Sequence, residues 1–156
     1  MNAKTPLFIA SILGLTMLGA AAAADLTLDQ CPAPVKEAIL SHTQGGKLDD
    51  IKSVTANGRT LYVAEIDLSP TKDKKLHITA DGTVVKVREE IDLASAPAAV
   101  QSAAKALVPT GGRIDDVDRE VADGKTTYLV EISRTNANDI KAVLAEDGTV
   151  LSQYGE

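Results

Sequence analysis

The chain predicts an α+β fold of two tandem repeats, each one helix packed on a four-stranded antiparallel sheet. The first observation is self-similarity: Gly45 to Ile66 (GGKLDDIKSVTANGRTLYVAEI) returns without a gap as Gly111 to Ile132 (GGRIDDVDREVADGKTTYLVEI). At the same offset Asp81-Gly82-Thr83-Val84 meets Asp147-Gly148-Thr149-Val150. The second observation is the order of periods within each copy, a helical spacing of apolar residues followed by strand-like alternation between glycine turns.

The helix of the first copy rests on Val35, Ala38, Ile39 and His42, and that of the second on Val100, Ala103, Ala104 and Leu107. Pro32 and Pro97 stand where a first turn tolerates a residue without an N–H. Gly45-Gly46 and Gly111-Gly112 end the helices. Strands follow at Lys47 to Ala56 and Arg113 to Ala122, closed by Asn57-Gly58 and Asp123-Gly124, which supply the positive φ of a tight hairpin. The return strands keep Tyr62, Ala64, Ile66 and Tyr128, Val130, Ile132 in one phase. A third and a fourth strand, Lys74 to Ala80 and Thr83 to Arg88, have counterparts at Ile140 to Ala145 and Thr149 to Gln153.

Ahead of the repeats, Lys4 precedes the uncharged run Pro6 to Gly19, and small residues lead to Ala22-Ala23-Ala24 before Asp25. This is the pattern of a cleaved signal peptide. The domains are therefore a signal peptide over 1–24, repeat one over 25–90 and repeat two over 91–156, in a periplasmic or secreted protein without stable membrane insertion after cleavage. The intact mass of the exported form should begin at Asp25. A mass that retains residues 1–24, or carries a lipid on Cys31, would overturn the assignment.

The formal net charge is −6, and loss of Lys4 with the leader makes the mature chain more acidic still. Nucleic acid and anionic membranes select clustered Lys and Arg, so neither is an expected partner. Without Trp, and with Phe8 in the leader, only Tyr62, Tyr128 and Tyr154 remain aromatic, which disfavours base-stacking platforms and aromatic-lined cofactor pockets. One cysteine, Cys31, permits no internal disulfide.

The helix that opens at a proline, the glycine pair, Asp123-Gly124-Lys125, Tyr128-Leu129-Val130-Glu131-Ile132 and Asp147-Gly148-Thr149-Val150, with their counterparts in the first copy, resemble PepSY and PepSY-like domains. The tandem arrangement is also similar to β-lactamase-inhibitor-like proteins. The resemblance covers nearly the whole mature chain and implies an exported, non-enzymatic module that binds a protein, in some relatives a peptidase or another secreted enzyme. It carries no catalytic residue over to a numbered position.

The residues themselves also point away from catalysis. Only His42 and His77 are available as bases, one on a helical apolar stripe and one between Leu76 and Ile78 on a strand. No cofactor or metal site is expected. Asp49-Asp50 and Asp115-Asp116 are the most suggestive acids, but neighbours on a regular strand point to opposite faces. A small-ligand or divalent-cation binder of the cell envelope, resting on those acids, is the alternative to a protein-binding module. The candidate interaction surface is Val63, Glu65, Leu129 and Glu131, in the phase opposite the apolar stripe of their strands. A second repeat packed face to face would cover the same strip.

Overall fold

The computed structural model describes residues 22–43, 45–56, 58–135 and 137–155. Residues 1–21 of the expected signal peptide lie outside them, as does Asn57 of the first hairpin turn. The element order is β1 (Ala22–Asp25), α1 (Ala33–His42), β2 (Lys47–Ala56), β3 (Arg59–Ser69), β4 (Lys72–Thr79), β5 (Val84–Glu90), α2 (Ala98–Leu107), β6 (Arg113–Ala122), β7 (Lys125–Ser133), β8 (Ile140–Ala145) and β9 (Val150–Gly155). Single 3₁₀ turns, Leu28–Gln30 and Leu93–Ser95, lead into the helices.

The expectation of two separate helix-on-four-strand sheets is overturned. All nine strands form one antiparallel sheet in chain order, because β5 pairs with β6 from Lys86↔Ala122 to Glu90↔Asp118. The physical reason lies in the charges. Across this seam Lys86 meets Glu120 at 3.2 Å and Arg119 meets Glu89 at 3.0 Å. Edge-to-edge joining also satisfies the backbone N–H and C=O groups of both strands. Face-to-face packing would instead have buried the ionic side chains of the sheet, a costly transfer. The sheet additionally gains β1 from the alanine run, which pairs with Lys52 to Thr55 of β2.

Both helices cover the same face. Leu76 is paired with Val87 and Val87 in turn with Val121, which shares the strand phase of Val117, so this side continues unbroken across the seam. Val35 and Ile39 of α1 pack on Ile51, Ala64, Ile66, Leu76 and Ile78. Val100 and Ala104 of α2 pack on Val117, Tyr128, Val130, Ile132 and Leu144. Each fully buried Val, Ile or Leu contributes about 1.5–3 kcal/mol, so the two short helices are held by these seats more than by propensity.

Irregularities in register reset the strands. In β2 the pairing steps from Leu48↔Ile66 to Asp50↔Glu65, and in β6 from Ile114↔Ile132 to Asp116↔Glu131. Asp49 and Asp115 are thus the extra residues of β-bulges. The strict alternation expected of the paired acids fails here. The bulge lets Leu48 and Ile51 both turn to the helices while the two acids between them stay wet. β5 and β9 are bulged at matching places, between the partners of His77 and Ile78 and of Val143 and Leu144.

Candidate interaction face

The face without helices carries the site. Reading across the strands, one row runs Asp50, Glu65, Lys75, Arg88 and Glu120, and the next runs Lys52, Val63, His77 and Lys86. On the β7 side Asp118, Leu129, Val143 and Ser152 make one row, and Glu131, Lys141 and Tyr154 make another. All four expected residues, Val63, Glu65, Leu129 and Glu131, therefore share this face. They do not converge: β4, β5 and β6 separate β3 from β7, a span of roughly 19 Å at ordinary strand spacing.

The charged side chains lie along the sheet and pair with each other. Lys75 meets Glu65 at 3.1 Å, Lys141 meets Glu131 at 3.7 Å, and Lys52 pairs with Asp50. Arg88 sits among acids, its Nε 3.4 Å from Glu120 and 3.8 Å from Asp118. Between these pairs Val63, Leu129 and Val143 remain half-buried, with no described element above them. A depression of about 160 Å³ lies over Leu129 and Val143, walled by Arg88, Asp118, Lys141 and the exposed Tyr154. It is smaller than the roughly 300–1,000 Å³ of small-molecule sites.

Burial pushes the Asp118 carboxyl above its ordinary range, against the pull of Arg88. Asp73 moves the same way through burial and its hydrogen bond with Glu65. Burial also raises Glu90, helped by Asp116 and Asp73. Among the described residues no group of three or more His, Cys, Asp or Glu side chains is arranged to hold a metal ion. Of the acids at the bulges, Asp115 meets Arg113 at 2.7 Å and Asp50 pairs with Lys52.

His77 stands on this face between Val63 and Lys86. Burial, then Lys86, holds its imidazole below the ordinary value of 6.5. The unfolded chain therefore takes up the proton first, and stability falls as pH drops through 6.5 toward the folded value. His77→Val, which installs the residue found at Val143 in the second half, is expected to remove that loss. Urea midpoints at pH 7 and pH 5 check it. A variant that loses as much stability as the parent on acidification would show that His77 is not responsible.

His42 belongs to the opposite side, its Nδ1 2.9 Å from the Ala38 carbonyl of its own helix. Cys31 is buried beside α1, where burial raises its thiol pKa. The residues missed from sequence are Arg88, Asp118, Lys141, Val143 and Tyr154. Their phase was readable within each strand, but the neighbourhood of Arg88 and Asp118 exists only through the β5–β6 pairing.

No protein-family model matches the chain, and no curated protein matches it in sequence. Solved structures do resemble it. A DUF2874 family protein from Bacteroides uniformis aligns at 19% identity with a TM-score of 0.63, over 80% of this chain and 89% of that one. A protein from Bacteroides eggerthii, provisionally named periplasmic, aligns at 20% identity with a TM-score of 0.64, over 80% and 88%. A BLIP-like protein from Bacteroides fragilis aligns at 16% identity with a TM-score of 0.59, over 80% and 86%. The helix-backed antiparallel sheet described above is thus a fold this chain shares with DUF2874 and BLIP-like proteins.

Proposed function

We propose that the chain is a non-enzymatic protein-interaction module of the periplasm that uses the open face of its sheet to hold a partner, and that it restrains a peptidase or another envelope enzyme. The observation that carries this reading is the bare face itself. Val63, Leu129 and Val143 lie uncovered between ion pairs that are already satisfied within the chain. Such a surface is wet enough to stay soluble and apolar enough in patches to seat a complementary protein.

The leader-like segment and the periplasmic name of the B. eggerthii relative in fold support the compartment. The BLIP-like neighbour and the PepSY-like motifs support protein binding. His77 has Val63 and Lys86 as its cross-strand neighbours, a poor setting for a general base that must reach a nucleophile.

A photo-crosslinking residue placed at Leu129 or Val63 in the host's envelope should yield one discrete adduct. The same residue at Leu40, exposed on α1, should not. Equal labelling from Leu40, or no adduct from either open-face position, would remove the basis for the reading. Inhibition assays on the captured protein then separate an inhibitor from a simple binder.

A further inference from the structure

The last strand is treated differently from its counterpart in the first half. β5 is half-buried along its whole length because β6 occupies its outer edge. β9 stands at the same offset and is exposed at every position, and among the described residues no strand pairs with its outer edge. Val150, Leu151 and Tyr154 of this one strand make up three of the five exposed large hydrophobic side chains among the described residues. An uncovered edge with apolar side chains is a template for another strand.

The charges say which strand fits. Lys86, Arg88 and Glu89 match β5 to the opposite charges of β6. At the corresponding positions β9 has Ser152, Tyr154 and Gly155, and no charged residue occurs from Val150 to Gly155. A β6-like partner would bring charges that β9 cannot answer. A second β9 brings none, so nothing repels when the strand meets itself. At the other edge, cleavage before Asp25 removes most of β1 and leaves β2, whose Lys47, Asp49, Asp50 and Lys52 blunt it against head-to-tail growth.

We infer that two copies of this chain pair antiparallel through the outer edges of β9, about a two-fold axis at Gln153. That axis runs perpendicular to the sheet, so like faces coincide and Ser152 of each copy lies opposite Tyr154 of the other. The regular stretch from Ser152 to Gly155, beyond the bulge, provides the pairing edge. Tyr154 also walls the depression over Leu129, so the two depressions meet at the seam and the open face doubles. The pairing does not depend on the proposed partner. Its interface falls below the roughly 1,200 Å² of standard complexes, which places it in the weak, concentration-dependent class.

Sedimentation of the exported protein from micromolar to near-millimolar concentration tests this. The expected result is a rise in mass that levels off at twice the monomer. The double variant Ser152→Lys/Tyr154→Lys should remain monomeric, since every symmetric register centred from Ser152 to Tyr154 sets lysines opposite one another, and Ser152→Glu/Tyr154→Glu should do the same. An equal mixture of the two variants should recover the doubled mass. A monomer at every concentration, growth beyond two copies, persistent pairing of the lysine variant, or a mixture that stays monomeric would overturn the proposal. Hydrogen exchange of the unmodified protein gives a reading free of any folding defect. Amides within Ser152 to Tyr154 should slow at high concentration, and exchange independent of concentration there would equally overturn it.

Discussion

Gly148→Val is expected to destabilise the fold by about 3 kcal/mol, and Gly82→Val by a similar amount, well beyond what the hairpin glycines would show. Two costs combine at these turns. Gly148 has φ +83° and Gly82 φ +87°, a left-handed backbone that a β-branched residue tolerates poorly. A Cβ at Gly148 would also lie 2.7 Å from the Ala99 carbonyl oxygen, and one at Gly82 would lie 2.7 Å from that of Pro34. Those carbonyls belong to the first turns of α2 and α1, so relief would require lifting a helix from its seat on the sheet. At Gly124 the φ is similar, +71°, but nothing lies within 4 Å of the added carbon. Gly124→Val should therefore lose only about 1 kcal/mol, from conformation alone. Urea unfolding of the three variants decides it. If Gly148→Val unfolds at the same midpoint as Gly124→Val, the turn does not bear on the helix and the contact is of no consequence.

That difference between glycines marks the limit of what the chain discloses. Asp147-Gly148 and Asp123-Gly124 read alike as hairpin turns, and both are turns. Only the packed structure shows that one of them abuts a helix. The same holds for the strands. The alternation Tyr128, Val130, Ile132 assigns Leu129 and Glu131 to the open face, because the period of two is local and survives folding. The spacing of three between Leu48 and Ile51, and between Ile114 and Val117, already breaks that period and was the available sign of a bulge. What local pattern does not contain is which edge meets which. Thr83 to Arg88 and Arg113 to Ala122 each read as a strand of its own repeat, and their union rests on cross-strand charges distant in sequence. The pairing that makes one sheet also assembles the central part of the open face, so both were hidden for the same reason.

Arg88→Glu tests that union and is expected to cost about 2–3 kcal/mol at neutral pH. Arg88 lies opposite Glu120 across the seam, and its Nε is buried without a hydrogen-bond partner, 3.4 Å from Glu120 and 3.8 Å from Asp118. Replacing it with an acid sets like charges directly across the β5–β6 pair, at a place where burial already holds the Asp118 carboxyl above its ordinary range. Lys75 and Lys86 remain close enough to offset part of the repulsion, which keeps the loss moderate. The pH dependence has a definite sign. Introducing a negative charge raises the folded-state pKa of Asp118 further, so the folded variant binds protons more readily than its unfolded chain. Its deficit relative to the parent is then greatest above the raised Asp118 value and shrinks as pH falls toward the ordinary carboxylate value of 3.8. Arg88→Met, which keeps the stem but adds no charge, should fall between parent and Arg88→Glu and lack most of that recovery. Urea midpoints of the three proteins at pH 7 and near pH 4 supply the comparison. Equal stability of Arg88→Glu and the parent at pH 7 would mean that charge matching does not hold β5 to β6, and the backbone ladder alone would have to account for the continuous sheet.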